Sequence, residues 1–166
     1  MVTPPNRFET RDALLLGGIR RRHEFSEAGP GITQQWLDFR EMEELPGQIG
    51  DVCYGVMCGS DETGFEYMCA VQVKALGPLP ADAGRMRVPP QNYAVYSHEG
   101  DASTLAATWS QAFNWLKLGD HISAHKPDFE VYPAGEDALS ALAGVEIWLG
   151  VLPRPKEEDS ADIAQA

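Results

Sequence analysis

The spacing of hydrophobic positions changes repeatedly along this chain, and each change predicts an element. ALLLGGIR (13–20) is a short apolar run of strand length. GPG (29–31) breaks the chain. Ile32, Trp36 and Phe39 then recur at helical spacing within ITQQWLDFREMEEL (32–45), which Pro46-Gly47 ends. DVCYGVMC (51–58) and FEYMCAVQV (65–73) read as two strands joined by the turn GSDETG. The Gly- and Pro-rich stretch 76–90 reads as a connector, and residues 1–11 as a loose lead-in. The order then repeats. NYAVYSHEG (92–100) is a strand, and DASTLAATWSQAFNWL (101–116) is a helix with Leu105, Trp109, Phe113 and Leu116 on one face. PDFEVY (127–132) is a strand, PAGEDALSALAG a loop, and VEIWLGVL (145–152) the last strand. Asp101 or Ser103 is placed to cap the second helix.

Two βαββ units follow from this order, over about 12–75 and 91–152, within one domain spanning 8–152. The expected fold class is α+β: an antiparallel-rich sheet with two helices on one face and a ligand cleft on the other. Alternation then sorts the last strand of each unit. Phe65, Tyr67, Cys69, Val71 and Val73 share the face that packs on the helices, and Glu66, Met68 and Ala70 share the opposite one. Val145, Ile147, Leu149 and Val151 form the second core face, while Glu146, Trp148 and Gly150 look away from it. Each glutamate is followed four residues on by a small residue, Ala70 or Gly150, which leaves space beside the carboxylate. A carboxylate amid apolar neighbours is paired, protonated or wet. Glu146 therefore either meets a partner or stands in water, and desolvation would raise its pKa.

Composition narrows the function. The chain has 166 residues and a formal net charge of −12. That balance argues against direct nucleic-acid binding and favours cationic ligands at long range. No apolar run approaches the ~20 residues of a membrane span. The first dozen residues lack a secretion-signal pattern, so the expected location is cytoplasmic, with no membrane partner. Cys53, Cys58 and Cys69 form no CxxC pair, so neither disulfide nor zinc is expected. His98 precedes Glu99, and His121 and His125 stand four apart in HISAH. Neither pair has an evident third ligand, and HISAH reads as a surface loop, with no metal. There is no phosphate loop, GxSxG or dinucleotide fingerprint, and no cofactor is expected. The polar tail, 153–166, is expected to be disordered.

YGV (54–56), FEYMCAVQV, RVPPQNYAVYSHEG, a helix ending NWL, DFEVY and VEIWLGV occur in that order. Together they resemble the GyrI-like small-molecule-binding domain, also called the AraC-type effector-binding domain, over roughly residues 8–152. The resemblance implies a duplicated βαββ fold with a cleft between its halves. It also implies a buried glutamate in the last strand, here Glu146, that meets a cationic or polar group of an aromatic, drug-like ligand. Tyr54, Tyr67, Tyr93, Trp115 and Trp148 would be the aromatic lining, with Tyr67 at odds with its core-facing alternation. Glu66 has the geometry of Glu146 in the other half. Trp36 and Trp109, at helical spacing, read as core.

The DNA-binding module of the family's multidrug regulators has no room before residue 13, so a stand-alone member is expected, one that sequesters or senses a cationic aromatic molecule. An alternative is hydrolysis of a reactive small molecule, with Glu146 activating water. The hydrolytic members carry a WxxY motif, and the nearest string here, WLDF (36–39), ends in Phe. A further alternative is an inhibitory protein partner drawn to the acidic surface.

Overall fold

A computed structural model describes residues 2–156. The tail expected over 153–166 lies outside the described residues from residue 157 on. Nine strands and two helices are present among the described residues: β1 (Arg7–Arg11), β2 (Leu14–Glu24), α1 (Ala28–Arg40), β3 (Gln48–Ser60), β4 (Gly64–Val73), β5 (Gly84–Val88), β6 (Gln91–Ser97), α2 (Leu105–Leu118), β7 (His121–Ser123), β8 (Asp128–Tyr132) and β9 (Glu146–Pro153). All strands join one sheet in the order β1-β6-β9-β8-β3-β4-β2-β5, with β7 added beside β9. Every pairing is antiparallel.

The order is that of two interlocked copies. β2-α1-β3-β4 and β6-α2-β8-β9 repeat one unit, and the copies meet where β3 pairs β8. The strand preceding each unit pairs with the other unit: β1 lies on β6 and β5 on β2. Three strands were not expected. β1 was read as a lead-in, β5 as connector and β7 as loop. RFETR has a single large apolar residue and leaves Phe8 exposed, so it carries little periodic signal. Its charged residues suit a sheet edge, where they discourage pairing with another chain.

The helices also shift. α1 starts at Ala28, so the GPG expected to break the chain lies inside its first turn. Pro30 is tolerated there because the first-turn N–H groups have no partner within the helix. α1 ends at Arg40, five residues before the expected end, where Glu41 N–H bonds back to Asp38 and Phe39 carbonyls. α2 follows a short 3-10 turn whose Ser103 N–H is accepted by the Asp101 side chain, the expected capping group.

Both helices lie on one face. α1 packs on β2 and β4, and α2 on β7 and β9. Trp36, Tyr67, Tyr96, Leu105, Tyr132, Ile147 and Leu149 form the core between helices and sheet. The sheet curls strongly, and its other face closes on a second core of Leu14, Leu16, Tyr54, Met68, Tyr93, Phe129 and Trp148. That second core alters the expected position of the cleft. Ala70 is fully buried there, and the space left by Gly150 is taken by Gln91, whose Oε1 would lie 2.3 Å from an added Cβ. The open space lies on the helix face instead.

Candidate functional site

The duplication creates the cavity. Each helix covers the flanking strands of its own unit, so the central strands β3 and β8 form a floor between the helices. A cavity of about 1000 Å³ opens there, large enough for a drug-sized molecule. Trp36 of α1 and Trp109 and Phe113 of α2 stand on its two sides, and Phe25 and Phe65 border it. Trp109 and Phe113 stack with ring centroids 5.5 Å apart.

The floor carries Asp128, Glu130 and Tyr132 from alternate positions of β8, together with Tyr67 of β4. Glu130 is 4% exposed. Tyr132 donates its hydroxyl to one carboxylate oxygen, and Tyr67 donates to the other at 3.3 Å. Trp36 Nε1–H donates in turn to the Tyr67 hydroxyl at 3.2 Å. Burial raises both tyrosine hydroxyls, so both remain protonated donors at neutral pH. No Lys or Arg pairs with Glu130 among the described residues. Burial pushes its carboxyl up to about 7, against the downward pull of the two hydroxyl donors.

Gly55 makes this floor possible. It pairs directly with Glu130 across β3 and β8. A Cβ at Gly55 would lie 2.1 Å from the Tyr67 hydroxyl and 3.2 Å from Glu130 Oε1. A glycine within a strand marks the close approach of another group, and here that group is the tyrosine–glutamate pair.

The residues expected at the site fall into three places. Tyr67 is on the cavity floor, and Glu66 borders the cavity, its carboxylate bonded to Arg20 at 2.7 Å. Glu146 is elsewhere. It lies away from the cavity and is held by two Arg7 hydrogen bonds, at 2.7 and 3.1 Å, and by Trp148 Nε1–H at 3.2 Å. Burial raises its pKa, as expected of desolvation, but Arg7 and Trp148 outweigh that and hold it below the ordinary value.

Trp148, Tyr54 and Tyr93 are buried in the second core and do not line the cavity. Trp148 stacks on Phe129 and packs edge-on to Tyr93. The guanidinium groups of Arg7 and Arg11 lie 5.7 and 5.6 Å from the Trp148 ring centroid, and Arg11 donates to the Tyr54 hydroxyl at 3.1 Å. The aromatic-carboxylate group inferred around Glu146 does bind cations, but they are the chain's own. Trp115 packs with Phe8, Tyr96 and His121, outside the cavity.

Glu130, Asp128, Tyr132, Trp36 and Trp109 were not inferred as site residues. Two signals point to them: the polar-apolar alternation DFEVY, and Gly55 in the middle of an otherwise bulky strand. Among the described residues, no three His, Cys, Asp or Glu side chains converge to hold a metal ion. Cys58 borders the cavity, but burial raises its thiol to about 11, so it is not a ready nucleophile. No helix among the described residues is long and apolar enough to cross a membrane.

A duplicated βαββ sheet, curled under two helices that frame a cavity, is the architecture of the GyrI-like small-molecule-binding domains. The chain belongs to the Cass2 family of integron-associated effector binding proteins, which it matches over residues 7–151. It is 31% identical over 97 residues to the transcriptional regulator BrlR of Pseudomonas aeruginosa, a match covering 56% of this chain and 36% of that protein. The matched region is thus about a third of the curated relative's length. Among solved structures, SAV2435 bound to tetraphenylphosphonium superposes with a TM-score of 0.66 at 19% identity, covering 88% of this chain and 93% of that one. The integron cassette protein Cass2 from the mobile metagenome of Vibrio cholerae superposes at 0.62 and 21% identity, covering 88% and 95%.

Proposed function

We propose that this domain binds a lipophilic, aromatic cation between its two helices, with Glu130 as the anchoring charge, and that it senses or sequesters that ligand. The observation that carries the reading is a buried carboxylate without a cationic partner among the described residues, on the floor of an aromatic-walled cavity. Desolvation makes the ionised form costly when the cavity holds no cation. An incoming cation offsets that cost, restores ionisation and gains contact with the flanking rings. The tyrosines fix the carboxylate's orientation before the ligand arrives, which reduces the ordering cost of binding. Tetraphenylphosphonium bound to SAV2435 supports this class of ligand.

Calorimetric titration with tetraphenylphosphonium tests the reading. Glu130→Gln keeps an acceptor for the tyrosines but removes the charge, and is expected to weaken binding by about 30-fold or more. Equal affinity in the wild type and Glu130→Gln would remove Glu130 from the anchoring role. The hydrolytic alternative has less support. The Phe39 side of WLDF borders a separate, smaller cavity beside Leu45 and Cys53 and does not line this one.

A further inference from the structure

The floor of the cavity holds a second carboxylate whose role the anchoring of a single cation leaves unexplained. Asp128 precedes Glu130 by two residues in β8, and both line the cavity. At a strand rise of about 3.3 Å per residue, their Cα atoms stand roughly 6.6 Å apart on one face. Asp128 accepts one hydrogen bond, from Gly150 N–H at 2.8 Å, and forms no ion pair among the described residues. Lys126 and His125 also border the cavity here, but both are exposed, whereas Asp128 is partly buried.

Resting on the reading of Glu130 as anchor, we propose that the cavity selects dications: aromatic compounds carrying a second positive charge, with Glu130 taking one charge and Asp128 the other. The two carboxylates have different supports. Among the described residues, Glu130 is gripped by two tyrosine hydroxyls, whereas Asp128 accepts one hydrogen bond, from a backbone amide, which leaves its other oxygen to face a ligand's second positive charge. Burial pushes the Asp128 carboxyl up to about 6, as expected for an acid placed in a cavity without a cation. A monocation satisfies one carboxylate and leaves the other desolvated. A dication of matching span satisfies both, and that difference makes Asp128 a specificity-determining residue.

Ethidium and propidium separate these cases, because they share a phenanthridinium ring and propidium adds a quaternary ammonium on a short alkyl arm. Their affinities are read by fluorescence at pH 8, where both carboxylates are ionised, for wild type, Asp128→Asn and Glu130→Gln. Asparagine keeps an oxygen for Gly150 N–H, and thermal melting checks that the variant is folded. Asp128→Asn is expected to weaken propidium by about tenfold and to leave ethidium within about twofold. Glu130→Gln should weaken both dyes. If Asp128→Asn changes both dyes equally, or neither, the dication preference is overturned while the Glu130 anchor stands. If neither dye binds the folded wild-type domain, the cavity reading falls, and this inference with it.

Discussion

Two glutamates, one strand apart in the sheet, show how the same local chemistry reaches opposite ends. Glu130 and Glu146 both lie on strands of the second unit, and both are surrounded by aromatic rings. Glu146 and Trp148 face outward under two arginines carried by β1 and its end. Glu130 faces the helices, and among the described residues only tyrosine hydroxyls reach it. The first group is a cation-binding arrangement that the chain fills from within. The second is the same kind of arrangement left without a cation. On the proposed reading, a carboxylate among aromatics defines a cation site, and neighbouring strands decide whether a ligand is needed to complete it. Here the deciding element is β1, which arrives from before the first unit and pairs along β6.

The sharpest way to break this comparison is to neutralise each glutamate in turn. Glu130→Gln should lose about 2–3 kcal/mol of affinity for a lipophilic cation, while Glu146→Gln stays within about twofold. The check is a side-by-side titration with tetraphenylphosphonium. The reverse order of effects would restore Glu146 as the anchor and refute the assignment of the cavity.

The second effect lies in pH. Glu130 has its folded pKa raised from 4.5 to about 7 by burial, so between those values the folded domain holds a proton that the unfolded chain has lost. Stability from this group is therefore complete below about 4.5 and declines as pH rises through about 7, by up to about 3 kcal/mol. Asp128, raised to about 6 by burial, acts in the same direction. Glu146 has its pKa lowered, so its contribution has the opposite sign and is lost only as pH falls. Chemical denaturation of the ligand-free domain at pH 5.5 and 7.5 should show wild type less stable at the higher pH. Glu130→Gln should remove most of that difference. Cation affinity should move the other way, rising with pH through the same window.

Packing gives the third test. Gly55→Ala places a methyl against the Tyr67 hydroxyl and is expected to cost about 1–3 kcal/mol of stability. It should also weaken ligand binding, because the displaced tyrosine no longer orients Glu130. Melting and titration together check this, and a variant with undiminished stability and affinity would show that the floor is not packed around the glycine.

The sequence conveyed the repeat more readily than the site. Strand and helix periods defined both βαββ units, and the alternation separated Glu146 from the helix-facing residues, whereas Glu66 borders the cavity despite its alternation. Alternation could not say that the outward face would be closed as well. That depends on the curl of the sheet, on β1 bringing Arg7 and Arg11 across from the far end of the chain, and on Gln91 filling the space at Gly150. DFEVY also alternates, with Phe129 and Val131 on one side and Asp128 and Glu130 on the other, but alternation alone does not mark the polar side as a site. Only the central place of β8, between β3 and β9 and under the gap between helices, turns that polar set into a cavity floor. Tyr67 shows the same limit, since its core-facing position and its place on the cavity floor are compatible once the cavity lies on the core face.

The smallest effect tests the internally filled half of the comparison. Arg7 and Glu146 are partly exposed, at 39% and 25% of their side-chain surface. Solvent screens such a pair, and its coupling should be about 0.5–1 kcal/mol despite the two-pronged geometry. A double-mutant cycle of Arg7→Met and Glu146→Gln, read by denaturant unfolding, measures that coupling without counting the packing of Arg7 on Trp148. The coupling should shrink at high salt. Cation binding in the cavity should be unchanged across the cycle, because the outward site and the cavity share no side chain. If removing Arg7 instead created a new cation site beside Trp148, a second binding event would appear in the titration of Arg7→Met and vanish in the double variant. That result would show most directly that the two glutamates differ in what surrounds them and not in kind.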